Sequence, residues 1–239
     1  MYNKSIAMGK ILMQTRDYYN FKVIAGDPMY DRLLAENTDI TKADHVNMAE
    51  LLKHCAFNKR TALDIGCHYG FFTRFLSDNF EKVHAFDFPN DILDCCKQNL
   101  KDCTNVTIHE HGIGDVNTTV ATNDWSERHG RRGPLGMHVD PSGKGKIYPI
   151  KTVDSLRIPN VDLMMIDTEG YELNVLKGAT QTIKESRPIV VLEFHHRNLT
   201  HKFGYKLKQL EEYIVSLEYM PWGYINKVDR VFLPTGLQA

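Results

Sequence analysis

The 239-residue chain reads as an α/β protein with a mostly parallel sheet and helices on both faces. Apolar runs of strand length alternate with segments whose apolar residues recur at helical spacing, the order that β-α-β units produce. One run, Pro188-Ile-Val-Val-Leu-Glu-Phe194, is apolar on nearly every residue, as expected of a strand covered on both faces. Another, Ala62–Ile65, ends in a turn bearing Gly66 and Gly70 and passes into a helical pattern. Strand, glycine turn and helix in that order let backbone approach a ligand closely, because glycine adopts angles barred to other residues and presents no side chain.

In chain order, residues 1 to 58 contain a strand, Phe21–Ile24, and a helix, Ala43–Cys55. They are expected to form an extension that covers one edge of the sheet and closes over the site. The main domain spans residues 59 to 239. After Gly70, Phe71, Phe72, Phe75 and Leu76 share a helix face. Lys82–Asp87 is a short strand ending in an acid, and Pro89 suits a first helical position before Ile92, Leu93, Cys96 and Leu100. Val106–His109 and Val161–Asp167 are the third and fourth strands, and Leu173–Ile183 is a helix. Beyond Phe194, Leu207–Leu217 is amphipathic, and strands at Met220–Tyr224 and Arg230–Leu233 close the chain. Residues 123 to 146 hold five glycines, two prolines and the cluster Arg128, Arg131 and Arg132, which predicts a flexible insertion before a strand Ile147–Val153.

A hydrophobic share of 42% is ample for a core, and 25% charged residues is ordinary for a soluble globule. A net charge of −1 offers no general attraction to nucleic acid or anionic membrane. No stretch approaches the ~20 apolar residues of a membrane span. Lys4, Lys10 and Arg16 break up the beginning of the chain, unlike a secretory signal. The five cysteines form no Cys-x-x-Cys pair and are odd in number, which fits reduced thiols and a cytoplasmic setting.

Ligands of parallel sheets bind at the carboxyl ends of the strands. Those ends carry Asp64, Asp87, His111, Asp167 and Glu193, and five polar ends on five apolar strands favour an enzyme over a scaffold. The octet Leu63-Asp-Ile-Gly-Cys-His-Tyr-Gly70 does not fit the Gly-x-Gly-x-x-Gly dinucleotide fingerprint. Its Asp-x-Gly-x-x-x-Gly pattern resembles the first S-adenosylmethionine motif of class I methyltransferases. The run Val161-Asp-Leu-Met-Met-Ile-Asp-Thr-Glu-Gly-Tyr-Glu-Leu-Asn-Val-Leu-Lys-Gly-Ala179 resembles more narrowly the signature of the FkbM methyltransferase family. Thr152–Leu156 and Arg187–Glu193 extend the likeness, which covers roughly residues 60 to 235. Two departures stand out. Met165 occupies the position of a family lysine, and the acid and proline after the second strand are Asp87-Phe88-Pro89, shifted by one residue.

The resemblance implies a Rossmann-like class I fold with a mostly parallel seven-stranded sheet. It also implies methyl transfer from S-adenosylmethionine, with S-adenosylhomocysteine as product, to hydroxyls of sugars or natural products. Cofactor contacts fall on Asp64, Gly66, Cys67, His68, Tyr69, Gly70, Asp87, Phe88, His111, Gly112 and Asp167. Asp64 would bind the cationic amino acid group or fix the loop. Asp87 would accept hydrogen bonds from the ribose hydroxyls, Phe88 would lie on the adenine, and His111 and Gly112 would hold its edge. Asp167, Glu169, Glu193 and His195, with His196 beside it, are the candidates near the methyl group, and Asp167 could instead hold the cofactor amine. No spacing demands a metal, so none is assigned. The expected partner is a small hydroxylated acceptor, a sugar or sugar nucleotide, with the insertion's arginines free to grip phosphate. Base methylation usually uses an Asn/Asp-Pro-Pro-aromatic motif where this chain has Ile166-Asp-Thr-Glu169. A nucleic-acid methyltransferase and a catalytically silent cofactor-binding module are the competing readings.

Overall fold

The core of the fold follows from strands whose two faces are both apolar. In the computed structural model, which describes residues 14–55, 57–124, 136–194 and 203–237, the main sheet has seven strands. They are β3 (Thr61–Ile65), β4 (Lys82–Phe86), β5 (Val106–His109), β10 (Val161–Ile166), β11 (Ile189–Glu193), β12 (Tyr219–Tyr224) and β13 (Asp229–Pro234). Their spatial order is β12-β13-β11-β10-β3-β4-β5. The five from β11 to β5 run parallel, β13 adds antiparallel to β11, and β12 adds antiparallel to β13. Pro221 sits on the edge strand β12 at a register shift, where a missing N–H does not break a ladder.

Period-two alternation divides the buried residues into two layers. Leu63, Ile65, Met164, Ile166, Val190 and Leu192 face helices α6 (Glu172–Gly178), α7 (Thr180–Ser186) and α8 (Leu207–Ser216). Ala62, Leu163, Met165 and Val191 face α2 (Ile40–His54) and α3 (Phe71–Ser77). Helix α4 (Asp91–Asn99) turns Leu93 and Cys96 toward β4 and Ile92 and Cys95 toward the N-terminal hairpin. A single helix was expected over Leu173–Ile183. Instead it breaks at Ala179, which leaves helical angles where Gly178 lies against the Gly114 backbone. Helix α4 starts at Asp91 rather than at Pro89, because Asn90 Oδ1 accepts the Leu93 N–H at 2.8 Å and caps it there.

Residues 14–55 form a hairpin of β1 (Thr15–Tyr18) and β2 (Phe21–Ile24), then α1 (Pro28–Ala35) and α2. The sequence suggested a covering for a sheet edge. The observed packing sets Met48, Leu51 and Leu52 of α2 on the face beside α3, with Asn47 Nδ2 donating to the Ile225 carbonyl at 2.5 Å. Asn99 ties the hairpin down: its Oδ1 accepts the Lys22 N–H at 2.7 Å, and its Nδ2 donates to the carbonyls of Lys22 and Tyr69.

The insertion expected over residues 123 to 146 is in part regular structure. Strands β6 (Gly112–Ile113), β7 (Thr118–Asp124), β8 (Met137–Val139) and β9 (Lys146–Lys151) form a second sheet in the order β6-β9-β7-β8. Residues 125–135, including Arg128, Arg131 and Arg132, lie outside the described residues. Strand β9 stops at Lys151, before the expected Val153, because Thr152 Oγ1 accepts the Ser155 N–H at 3.1 Å and opens helix α5 (Val153–Leu156). All five cysteines are free, four of them buried. Among the described residues no helix is long and apolar enough to cross a membrane.

Candidate active site

The carboxyl ends of β3, β4 and β10 open into one cavity of about 590 Å³. Asp64, Gly66, Cys67, His68, Asp87, Phe88, Gly112, Asp167 and Glu169 all line it, so nine residues singled out by sequence share one enclosure.

The loop after β3 is shaped by close approach. Gly66 has φ +92°, and a Cβ there would stand 1.7 Å from the Asp167 carbonyl oxygen. Glycine is required at this point by the neighbouring strand's own backbone. Gly70, with φ +84°, caps α3 and lies against Cys96 and Leu100, outside the cavity lining. His68 is held at φ 49°, an uncommon angle for a residue with a side chain. Its N–H donates to Asp87 Oδ2 at 2.9 Å, while the Phe88 N–H donates to Asp87 Oδ1 at 2.7 Å. Burial raises the Asp87 carboxyl above its usual range, against the pull of those two donors.

Asp64 belongs to the fold as much as to the cavity. Thr73 Oγ1 on α3 donates to its Oδ2 at 2.5 Å. Burial, aided by the charge of Asp87, pushes Asp64 up to about 7. Tyr69 is expected among the cofactor contacts but is turned away from the lining. Its hydroxyl donates to Asp27 Oδ2 at 2.9 Å and accepts the Ile24 N–H at 3.4 Å, clamping the loop to the N-terminal segment. His111 is also absent from the lining. It is buried beside Phe86 and His109, with Nδ1 3.0 Å from the Gly112 carbonyl oxygen, and burial lowers its pKa. The expectation that His111 and Gly112 end the third strand fails in detail, since β5 stops at His109 and Gly112 begins the second sheet.

Carboxylates gather at the other end of the cavity. Oxygens of Asp167, Glu169 and Glu193 all lie within 4.8 Å of one another. Burial first, then repulsion by Asp229 and Glu169, raises Asp167 well above the carboxylate range. Burial first, then Asp167, raises Glu193 in the same direction. Asp229 pairs in register with Glu193 across β13 and β11 and is 3% exposed. Its carboxyl accepts from Asn226 Nδ2 at 2.5 Å. His195 and His196 lie outside the described residues.

Several contributors went unnoticed in the sequence. Glu172 is fully buried, and its Oε1 accepts the N–H groups of Thr168 at 3.0 Å and Gly170 at 2.9 Å and the Thr168 hydroxyl at 3.0 Å. Tyr205 donates to the Gly170 carbonyl at 2.7 Å. Together they hold the loop carrying Glu169, whose φ is 57°. The second acid of Glu169-Gly-Tyr-Glu172 was the available signal. Tyr30, Thr41 and Asp44 from the N-terminal segment, Met137 and Val139 from β8, and Asn226 and Lys227 before β13 complete the walls.

The donor set suits an adenosine carrying a positive charge. Asp87 presents a carboxylate with acceptor capacity beyond the two backbone donors it already has. Phe88 and Ile113 offer apolar wall beside it, and the acidic end faces the same hollow.

The family model for the methyltransferase FkbM domain matches residues 64–220. Among solved structures, the FkbM methyltransferase of Methylobacillus flagellatus KT is similar with a TM-score of 0.54 and 20% identity, over 74% of this chain and 44% of that one. The chain therefore spans less than half the length of that protein. A S-adenosylmethionine-dependent methyltransferase from Aquifex aeolicus gives a TM-score of 0.49 at 13% identity, over 89% and 99% of the two chains. Precorrin-6y C5,15-methyltransferase from Geobacter metallireducens GS-15 gives 0.45 at 14% identity, over 78% and 86%. No curated protein matches the chain. The likeness to the Methylobacillus flagellatus protein, at 20% identity, speaks for the fold alone, whereas the family match covers well over half of the sequence and includes both the Asp64 loop and the Asp167–Ala179 run: the chain belongs to the FkbM methyltransferase family.

Proposed function

We propose that the chain methylates a hydroxyl oxygen on a sugar or another small hydroxylated acceptor. The observation that supports this most is that Asp87 and the Asp167–Glu169 acids line a single cavity. S-adenosylmethionine, the family's methyl donor, supplies when bound a methyl carbon on a positive sulfur, open to in-line displacement by oxygen with departure of a neutral thioether.

The protein's own groups then have to orient, exclude water and take one proton. Asp87, fixed by the His68 and Phe88 N–H groups, accepts from the ribose hydroxyls. Phe88 and Gly112 confine the base, and the Gly66–His68 backbone follows the cofactor's chain. At the acidic end, an ionised carboxylate of Asp167 or Glu169, which line the cavity where the buried Glu193 does not, accepts the hydroxyl proton as the oxygen bonds to carbon. Groups whose pKa is raised by burial and mutual repulsion make stronger bases than exposed carboxylates. Lys227 is the one Lys or Arg lining the cavity among the described residues, which favours an acceptor without a run of phosphates. A sugar nucleotide would depend on Arg128, Arg131 and Arg132.

Two measurements test this. Calorimetry with S-adenosylhomocysteine should give binding that weakens at least about tenfold, or 1.4 kcal/mol, in Asp87→Ala. Labelled methyl transfer should then appear with sugars or polyols and not with oligonucleotides. Label found on nucleic acid alone would replace the acceptor class, and a folded chain that ignores S-adenosylhomocysteine would defeat the whole reading.

A further inference from the structure

We propose that Asp167, Glu169 and Glu193 form a binding site for one hard divalent cation, magnesium or manganese, with Asp229 as an outer carboxylate behind them. The ligands come from different elements. Ile166 of β10 pairs in register with Leu192 of β11, so Asp167 and Glu193 emerge side by side at the carboxyl ends of neighbouring parallel strands. Glu169 returns over them because the Glu172 carboxylate gathers the Thr168 and Gly170 N–H groups beneath the loop. This convergence leaves no spacing pattern, which is why the sequence offered no metal assignment.

The three donor oxygens lie within 4.8 Å of one another. Oxygens bound to one ion at about 2.1–2.4 Å are separated by roughly 3–4.8 Å, so a single cation can touch all three. An all-oxygen, carboxylate-rich set suits magnesium or manganese better than zinc. Asp229 supplies an independent indication. It is 3% exposed, it lines the cavity, and it stands opposite Glu193 across the β11–β13 ladder. Its Oδ1 is buried with no hydrogen-bond partner. An orphaned carboxylate oxygen whose charge bears on Asp167 and Glu193 is costly unless positive charge lies close to them. Among the described residues no Lys or Arg forms an ion pair with Asp167, Glu193 or Asp229; Arg230, the next residue, is paired to Glu211 instead. Because Asp167 and Glu169 line the cavity, an ion here would keep coordination positions open to an oxygen-bearing ligand.

The test uses the whole chain and manganese alone. Paramagnetic resonance of free Mn²⁺ during titration should show one ion bound per chain, displaceable by Mg²⁺. Glu169→Gln, at a half-exposed loop position, and the near-isosteric Glu193→Gln should each weaken binding at least about tenfold. Both variants should still bind S-adenosylhomocysteine, which shows that they are folded and separates this proposal from the methyl-transfer reading. No Mn²⁺ binding at millimolar concentration by a chain that binds S-adenosylhomocysteine would overturn the site, as would binding unchanged in both variants. In either case the three carboxyls are held by shared protons.

Discussion

The two ends of the cavity are built in different ways. The Asp64–Asp87 end comes from two consecutive strand–loop–helix units, and its key hydrogen bonds join residues 19 apart or fewer in sequence, His68 to Asp87 and Phe88 to Asp87. The Asp167–Asp229 end is assembled from β10, β11, the turn before β13 and the N-terminal segment, with contacts such as Asn226 to Asp44 spanning 182 residues. The first end draws its polar contacts from within one local motif, although the Asp167 backbone still fixes the glycine at 66. The second depends on the whole fold being in place, and under the proposed function it is the end that meets the acceptor.

The most severe way to break the first end is Gly66→Ala. A methyl at 1.7 Å from the Asp167 carbonyl cannot be relieved by rotating a side chain, and the residue also needs φ +92°. Strain and overpacking together should cost about 2–4 kcal/mol and remove S-adenosylhomocysteine binding. Urea unfolding and calorimetry measure both, and a variant with near wild-type stability would show that the two loops are not locked together.

Glu172→Ala should strike the second end. Three donors in the loop of residues 168–170 lose their acceptor, so Glu169 and the Asp167 side of the cavity lose their position. A misplacement near 1 Å costs about a hundredfold in turnover, with S-adenosylhomocysteine affinity changed by no more than about threefold. Glu172→Gln keeps an acceptor oxygen and should recover most of the rate. Equal damage to cofactor affinity and turnover would erase the distinction between the ends.

A milder probe is Asp44→Ala. Asp44 lines the cavity from α2 and meets Asn226 at 3.4 Å, on the Asp229 side. The acceptor KM should rise about three- to tenfold, or 0.7–1.4 kcal/mol, with S-adenosylhomocysteine affinity unchanged. A shift in cofactor affinity alone would move Asp44 to the other end.

The same contrast explains what could be read in advance. The central strands β3, β10 and β11 are legible because parallel strands buried on both faces are apolar nearly throughout, and Asp64, Gly66, Asp87 and Phe88 because they sit at fixed offsets within one motif. The second sheet is hard to read because Thr118–Asp124 is mostly polar, Met137–Val139 is only three residues long, and glycines and prolines punctuate the segment around them. Helix α1 is hard to read because its buried residues, Tyr30 and Leu33, are too few to mark a periodic face. Tyr69 and His111 stay out of the cavity lining for one shared physical reason. A polar group beside a motif looks functional in sequence, yet each is satisfied internally, by Asp27 and by the Gly112 carbonyl.

The smallest effect concerns Asp64, which separates a structural acid from a binding one. Its carboxyl is raised to about 7 by burial, against 3.8 for the unperturbed group. The folded state therefore holds a proton that the unfolded chain has released between those values. By linkage, stability from this group is fully present below pH 4 and is lost as pH rises through 7. Between pH 6 and 8 the loss amounts to about 1.4 kcal/mol, or roughly 3–6 °C in Tm for a chain of this size. Asp64→Asn keeps a polar partner for Thr73 and cannot ionise, so its Tm should fall less over that interval, with most of the difference arising below pH 7 and little added above it. If wild type and Asp64→Asn lose Tm in parallel, the neutral-pH slope belongs to the acidic end instead, to Asp229 and its neighbours, whose carboxyls are raised in the same direction.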